Sequence, residues 1–482
     1  MNPSTLLSSE LASAESVVTK RKAKEYTYEE IEHKTSYIED MDPPSSFCRP
    51  IKMLKIQNKE PFICNDRPYN PRTPITLYHK TFAVFQENCT KIAITKKDCA
   101  SVIELIEIMT KVYEKEKERQ KEFNSWLSDY FNLPVDKLPL PSDHQEADIG
   151  SVINIGNISF MILVGEIKNE IGEGGGCAYV QACASYAKRI GLNQSNVVRQ
   201  GLNPAFLLYL AGPYLGIAGA VLGKEFTMEP LTPMLPLLFV EHDLNLMESL
   251  ARTLLALKIG LRELKNYYIT CYEKVQYIEN NTLLRSDSFP YICQFMIGET
   301  KFSFSYVRQL YNDKLLFLVE GLSGDFLNKL ILVKFVKRYG VDIHIYCAEK
   351  EIAPKLYAIN TIPGWSIVFM EYLLKYVNIY TAIHDLKLDR RTLLEKVENT
   401  TKILHDGGFA HGDLRASNIM VSTDMKQMKI VDLDWGGPDG KVFYPYFISN
   451  TVPWHHDVEC GKPILIEHDK YLLKKLLNDN PL

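Results

Sequence analysis

Two short stretches of this chain hold residue types that can do chemistry on phosphates. The first is Gly165-Glu166-Ile167-Lys168, where the apolar run Phe-Met-Ile-Leu-Val leads straight into charge. On a strand alternate side chains share a face, so Glu166 and Lys168 project to one side. An unpaired charge is costly inside a sheet, which argues that this strand end faces a cleft or a partner. Asp148, eighteen residues earlier at the start of the β-rich run Ser-Val-Ile-Asn-Ile, is placed to converge on the same point, with Glu146 as the alternative acid. Two carboxylates holding Mg²⁺, with a lysine to orient water and stabilise the phosphorane, suit metal-assisted phosphodiester cleavage. The plainer alternative is an exposed ion pair worth little.

The second stretch is His411-Gly412-Asp413-Leu414-Arg415, followed by Asn418 and by Asp432-Leu433-Asp434. An Asp, an amide five residues on and another Asp after an intervening apolar strand form a phosphoryl-transfer set. Asp413 takes or orients the acceptor hydroxyl, Asn418 and Asp432 hold Mg²⁺ on nucleotide phosphates, and a nearby cation neutralises charge on the transferred group. Order and spacing agree in too many elements for unrelated turn residues.

The elements that position these residues come from a chain of 482 residues, enough for two or three domains. With 46% hydrophobic and 24% charged residues and a net charge of −4, it is neither collagen-like, wholly disordered nor a disulfide scaffold. The charge excludes a protein that coats nucleic acid, but not a local basic cleft. Ten scattered cysteines, with no CxxC, suit a reducing compartment and argue against zinc. No secretory signal is read at the N-terminus, so an intracellular place, cytoplasm or nucleus, is expected. Lys20, Arg21, Lys22 and Lys24 read as a solvated charge run rather than a nuclear-import signal. Residues Ala205 to Leu222 are uncharged, but the Gly212-Pro213 pair in their middle makes them two buried strands rather than a membrane span.

Residues 1–75, rich in Ser, Pro and charge, are expected to be a disordered tail. Helical spacing covers about Lys96 to Phe131, a helix-like piece lies around Gln181–Arg189, and Leu244–Leu264 reads as helix. Strand-like runs lie between them, giving an α/β or α+β domain over 76–278. A second section, 279–482, opens with β-rich segments and continues with a helix over Arg391–Leu404.

The first set, joined to the Gly-rich bend Glu173–Cys177 and to Gln181 and Tyr186 downstream, resembles the restriction-endonuclease-like superfamily with its PD-(D/E)xK site. That resemblance implies an α/β nuclease domain in which Asp148 and Glu166 bind metal and Lys168 assists attack, with DNA as substrate. Asp148 departs from the pattern in not following a proline.

The second set resembles a compact, bilobal protein-kinase-like fold. The resemblance implies ATP and Mg²⁺ as cofactors and a protein or other hydroxyl acceptor as partner. Lys334, in Ile-Leu-Val-Lys-Phe-Val, would anchor phosphates, with Asp342 or Glu349 as its acidic partner. Glu371 falls where the hinge contacts adenine, and Arg415 stands in place of the usual catalytic lysine two residues after Asp413. Departures are equally clear: no GxGxxG precedes Lys334, HRD is HGD, DFG is Asp432-Leu433-Asp434, and no APE follows. Together, and with the run from Asp432 to the C-terminal Tyr-Leu-Leu, the two halves resemble Crinkler-type effectors and their relatives, in which a short fungal kinase-like module follows a nuclease-like domain. The resemblance covers roughly residues 90–480, and it implies secretion to a host cell as the alternative to an intracellular place. No membrane association is expected. A DNA nuclease with a degenerate nucleotide-binding module is the alternative reading. His455, His456 and Asp457 lack a further ligand and read as surface or core rather than as a metal site.

Overall fold

In a computed structural model, residues 37–57, 63–67, 71–141, 145–195, 198, 201–223, 225–238, 243–276, 289–386 and 388–478 are described. The basic cluster at 20–24 and the expected domain boundary near 278 lie outside them. The chain is mixed α/β and divides into two units between Ile292 and Cys293.

In the first unit, helices α1 (Pro44–Phe47) and α2 (Pro50–Gln57) precede strand β1 (Ile63–Cys64), and α3 (Ile75–Tyr78), α4 (Lys80–Lys91), α5 (Lys96–Met109) and α6 (Glu116–Phe131) follow. Next come β2 (Asp136–Pro139), β3 (Glu146–Ile155), β4 (Ile158–Lys168), α7 (Ala178–Gly191), β5 (Ala205–Ala211), β6 (Tyr214–Leu222), β7 (Phe226–Pro230), β8 (Leu235–Pro236) and α8 (Leu244–Gln276). The strands form one sheet in the order β1-β7-β6-β5-β4-β3-β2, with β8 beside β6. β4 and β5 are parallel, so the chain must cross over between them, and α7 is that crossover.

Both faces of the sheet are covered, which is why β5 is an unbroken apolar run. Phe206 packs on Phe82 and Phe85 of α4, while Tyr209, on the opposite face, packs on Tyr179 of α7. Ala205–Leu222 is the antiparallel pair β5–β6, turned at Gly212 with φ +55°. No described helix is long and apolar enough to cross a membrane.

Two expectations need correction. The span Lys96–Phe131 is two helices, α5 and α6, separated at 110–115. And the described part of residues 1–75 is folded: Ile38, Phe47 and Cys48 are buried in the core of this unit. Their apolar side chains are too widely spaced to show a period, because they fill gaps on another element instead of building a face of their own.

The second unit opens with a six-stranded antiparallel sheet. It is built from β9 (Gln294–Ile297), β10 (Thr300–Tyr311), β11 (Lys314–Gly321), β12 (Leu330–Val336), β13 (Leu356–Ile362) and β14 (Trp365–Glu371), in the order β13-β14-β12-β11-β10-β9. Helix α9 (Val341–Glu349) lies between β12 and β13 in the chain. Phe295, Phe304 and Phe369 pack together on one side.

A mainly helical part follows: β15 (Tyr376–Asn378), α10 (Ile379–His384), α11 (Arg390–Asp406), β16 (Phe409–Ala410), β17 (Ile419–Ser422), β18 (Met428–Ile430), β19 (Gly437–Pro438) and α12 (Ile466–Asn478). Leu393, Val397 and Leu404 lie on one stripe of α11 and share a core with Leu414, Ile419 and Ile430.

Candidate active sites

The carboxylates of the first unit meet because of strand register. Ile149 on β3 pairs with Gly165 on β4, which sets Asp148 beside Glu166. Asp148 Oδ2 accepts the Ile167 backbone N–H at 3.0 Å. Glu166 is 1% exposed. Its two oxygens accept from Gln181 Nε2 at 2.6 Å and from the Ser185 hydroxyl at 2.5 Å. Gln181 and Ser185 are four residues apart on α7, hence on one helix face. Burial pushes the Glu166 carboxyl well above the usual carboxylate range, and the adjacent Asp148 pushes it the same way.

Helix α6 closes the other side. Gln120 and Asn124 both donate to the Asp148 backbone carbonyl, at 2.7 and 2.9 Å, and Gln120 also reaches Asp148 Oδ1 at 3.2 Å. Glu116, one turn earlier on the same stripe, is raised by burial; the Lys168 charge opposes that rise and the Asp148 charge adds to it. It is a further carboxylate within electrostatic reach of Asp148 and Lys168, and one that sequence reading missed. Glu116, Gln120 and Asn124 recur at i, i+4 and i+8, but the helix also buries Arg119 among its apolar residues, so no clean polar stripe marks Glu116 out in the sequence. Glu146 is exposed and paired with Lys137 at 3.3 Å, so Asp148 is the acid that meets Glu166. Tyr186 does not join them; its hydroxyl donates to the Asn203 carbonyl at 2.8 Å. The Gly-rich bend lies along the Lys168 side chain, whose Cδ is 3.3 Å from where a Cβ on Gly174 would sit.

Asp148 and Glu166, side by side across the β3–β4 pair, offer oxygen donors suited to a hard divalent cation. The buried, protonation-prone Glu166 shows what the cation would replace: without one, two adjoining acids cannot both ionise cheaply.

In the second unit, His411-Gly412-Asp413 hangs on a carboxylate from far along the chain. Asp469 of α12 is fully buried and accepts the backbone N–H of His411 at 2.6 Å and of Gly412 at 2.8 Å. Gly412 has φ +83°, and a Cβ there would lie 2.9 Å from Ile464 Cδ1. This position therefore requires glycine twice over. The His411 ring bonds the Val431 carbonyl through Nε2 at 2.9 Å and the Asp413 N–H through Nδ1 at 3.1 Å, which fixes the tautomer with the proton on Nε2. Val431 in turn donates its N–H to the Asn418 carbonyl at 2.9 Å. The loop bearing Asp413 and the strand end bearing Asp432 are thus tied at one residue.

Asn418 Nδ2 donates to Asp413, at 2.8 Å to the carbonyl and 3.0 Å to Oδ2. Its own Oδ1 has only the Ser417 hydroxyl at 3.3 Å. Arg415 grips the Asp413 carboxylate with Nη2 at 2.7 Å and Nε at 2.6 Å. Asp432 sits in the left-handed region at φ +65°, a strained conformation for a non-glycine residue and one that clusters at functional sites.

Lys334 on β12 bonds Asp432 and, at 2.5 Å, Asp434. It does not pair with Asp342 or Glu349, which are exposed on α9. Burial alone would raise the Asp432 carboxyl, but Lys334 and Lys314 outweigh it and hold it well below the usual range. Asp434 is instead raised, by burial and by the Asp432 charge, against the pull of Lys334. Glu371 has its N–H donated to the Lys355 carbonyl at 2.9 Å, and its carboxylate accepts from Lys355 N at 3.0 Å. The oxygen donors of Asn418, Asp432 and Asp434 fit Mg²⁺. His455, His456 and Asp457 lie side by side, with His456 Nε2 at 3.3 Å from Asp457 Oδ1, and this group is mostly exposed.

No family model matches this sequence, and neither does any curated protein. Among solved structures the chain is similar to the Cydia pomonella granulovirus kinase PK-1, at 16% identity with a TM-score of 0.28. The match covers 34% of this chain and 62% of that kinase.

Proposed function

We propose that the second unit is an ATP- and Mg²⁺-dependent phosphotransferase of protein-kinase-like type. The observation that carries this reading is the Val431 tie, which holds Asp413 and Asn418 against the segment bearing Asp432, itself bonded to Lys334. Asp413 accepts the proton of the acceptor hydroxyl as that oxygen attacks the terminal phosphoryl group, and ADP leaves. Asn418 and Asp432 hold the metal, which when bound neutralises charge on the phosphates. Lys334 exchanges its carboxylate partners for phosphate oxygens. Arg415, released from Asp413, is positioned to neutralise the transferred group. Glu371 marks the strand end where backbone groups would meet adenine. The acceptor is a protein or another hydroxyl compound.

The test is transfer of label from ATP by the full chain. Asp413→Asn should abolish it, and undiminished transfer overturns the assignment. Thermal stabilisation by ATP without turnover would mark a nucleotide-binding module instead.

For the first unit the buried Glu166 with Asp148 beside it favours a second activity, Mg²⁺-dependent phosphodiester cleavage of DNA. Asp148 and Glu166 would hold the metal and Lys168 would assist the attack, in a PD-(D/E)xK-type domain. The union of the two is the architecture of a Crinkler-type effector or conflict protein. Plasmid nicking in Mg²⁺ that survives Lys168→Ala would exclude this site.

A further inference from the structure

The hairpin between β10 and β11 turns at Asn312–Asp313 and contains no glycine. It therefore cannot wrap phosphates closely with backbone amides, as a glycine-rich loop does. What it carries instead is Lys314, immediately after the turn. The register pairs Leu316 with Lys334, so Lys314, two residues before Leu316, projects from the same sheet face as Lys334. Both ammonium groups reach one carboxylate. Lys334 bonds Asp432 Oδ1, and Lys314 Nζ lies 3.3 Å from Asp432 Oδ2. Asp434 stands where the expected motif has glycine and takes Lys334 as well. The cleft thus holds two lysines against two aspartates, one of each beyond the expected set.

We infer that Lys314 is a second phosphate-binding cation of the nucleotide site, supplying by side-chain charge what the glycine-free hairpin cannot supply by backbone amides. This rests on the phosphotransferase reading above. With a nucleotide and its metal bound, Asp432 and Asp434 would serve the metal and both lysines would be left to the phosphates. Lys334, with a side chain only 13% exposed, is fixed in the sheet, whereas the Lys314 side chain is 50% exposed at a hairpin end. A long, flexible ammonium there can follow the outer phosphates without a precise backbone cradle. Lys314 therefore contributes most to the ligand with the most phosphate charge and nothing to the base or ribose.

The experiment is equilibrium binding of Mg-ATP, Mg-ADP and adenosine to the full chain, comparing the unmodified protein with Lys314→Gln, Lys314→Arg and Lys334→Gln. Lys314→Gln should weaken ATP about tenfold, ADP less, and adenosine not at all. Lys314→Arg should stay within about threefold of the unmodified protein. Unchanged ATP affinity in Lys314→Gln, or an equal loss for ATP and adenosine at unchanged thermal midpoint, overturns the role of Lys314 alone. If the unmodified protein binds no Mg-ATP and Lys334→Gln changes nothing, the phosphotransferase reading falls and this inference with it.

Discussion

Asp469 reaches back 57 residues to accept the N–H of Gly412 at 2.8 Å, and the same carboxylate holds the N–H of His411. One fully buried side chain therefore sets the backbone from which Asp413 projects. Replacing it by alanine strands two buried donors, each worth about 1–3 kcal/mol when unpaired. Asp469→Ala should destabilise the second unit by about 2–4 kcal/mol and speed amide exchange at His411–Asp413. Unchanged protection at those amides would refute the anchor.

Gly412 and Gly408 both have positive φ, but only Gly412 is sterically confined. Gly408→Ala should cost about 1 kcal/mol of backbone strain. Gly412→Ala adds the collision with Ile464 and should cost about 2–4 kcal/mol. Thermal midpoints of the two variants compare them directly, and equal losses would show that the Ile464 contact yields freely.

The Asp432 carboxyl is held below its usual range, so its contribution to stability is present above the unfolded-state pKa. It is lost only as the pH falls through the lower folded value. Between pH 7 and 5 the unmodified second unit should lose nothing from this group. Asp432→Asn should be less stable than the parent at neutral pH, with the gap closing only in strong acid. A gap already closed at pH 5 would contradict the ion pairs with Lys334 and Lys314.

Glu166 behaves in the opposite sense. Its raised pKa favours folding below the ordinary carboxylate value, and that contribution is lost as the pH rises through the folded value. In EDTA at pH 8, Glu166→Gln should therefore be at least as stable as the parent. Mg²⁺ binding to the parent should release a proton, measured by calorimetry in buffers of different ionisation heat. Glu166→Gln should release none, and equal release from both would remove Glu166 from the metal site.

The two reactive stretches were legible because each places charge at the end of an apolar strand, a local pattern that survives without neighbours. The crossover helix was legible too, since its apolar and polar residues follow one period. Ser185, Glu116, Lys314 and Asp469 were not. Each sits in an unremarkable helix or at a strand end, and its role arises only when register or packing brings a distant carboxylate or backbone amide alongside. The acidic partner of Lys334 was unreadable for the same reason: Asp342 and Glu349 are close in sequence, whereas Asp432 and Asp434 are close in space. The folded segment at 37–57 hid behind Ser, Pro and charge because it borrows its core from the rest of the unit.

That segment also bears on how the chain can be divided. The Cys48 thiol lies 3.6 Å from Gln181 Oε1, and its carbonyl receives the Cys177 N–H at 3.3 Å. Its sulfur also fills the space beside the Gly176 backbone. A recombinant fragment cut at residue 76, the obvious choice from composition, would strip away one of the two holds on the amide that aims Glu166. It would also open the crossover helix to water. The smallest autonomous piece of the first unit therefore starts no later than Ile38, and a fragment begun at the apparent sequence boundary would lose part of the core and the Cys48 contact to Gln181.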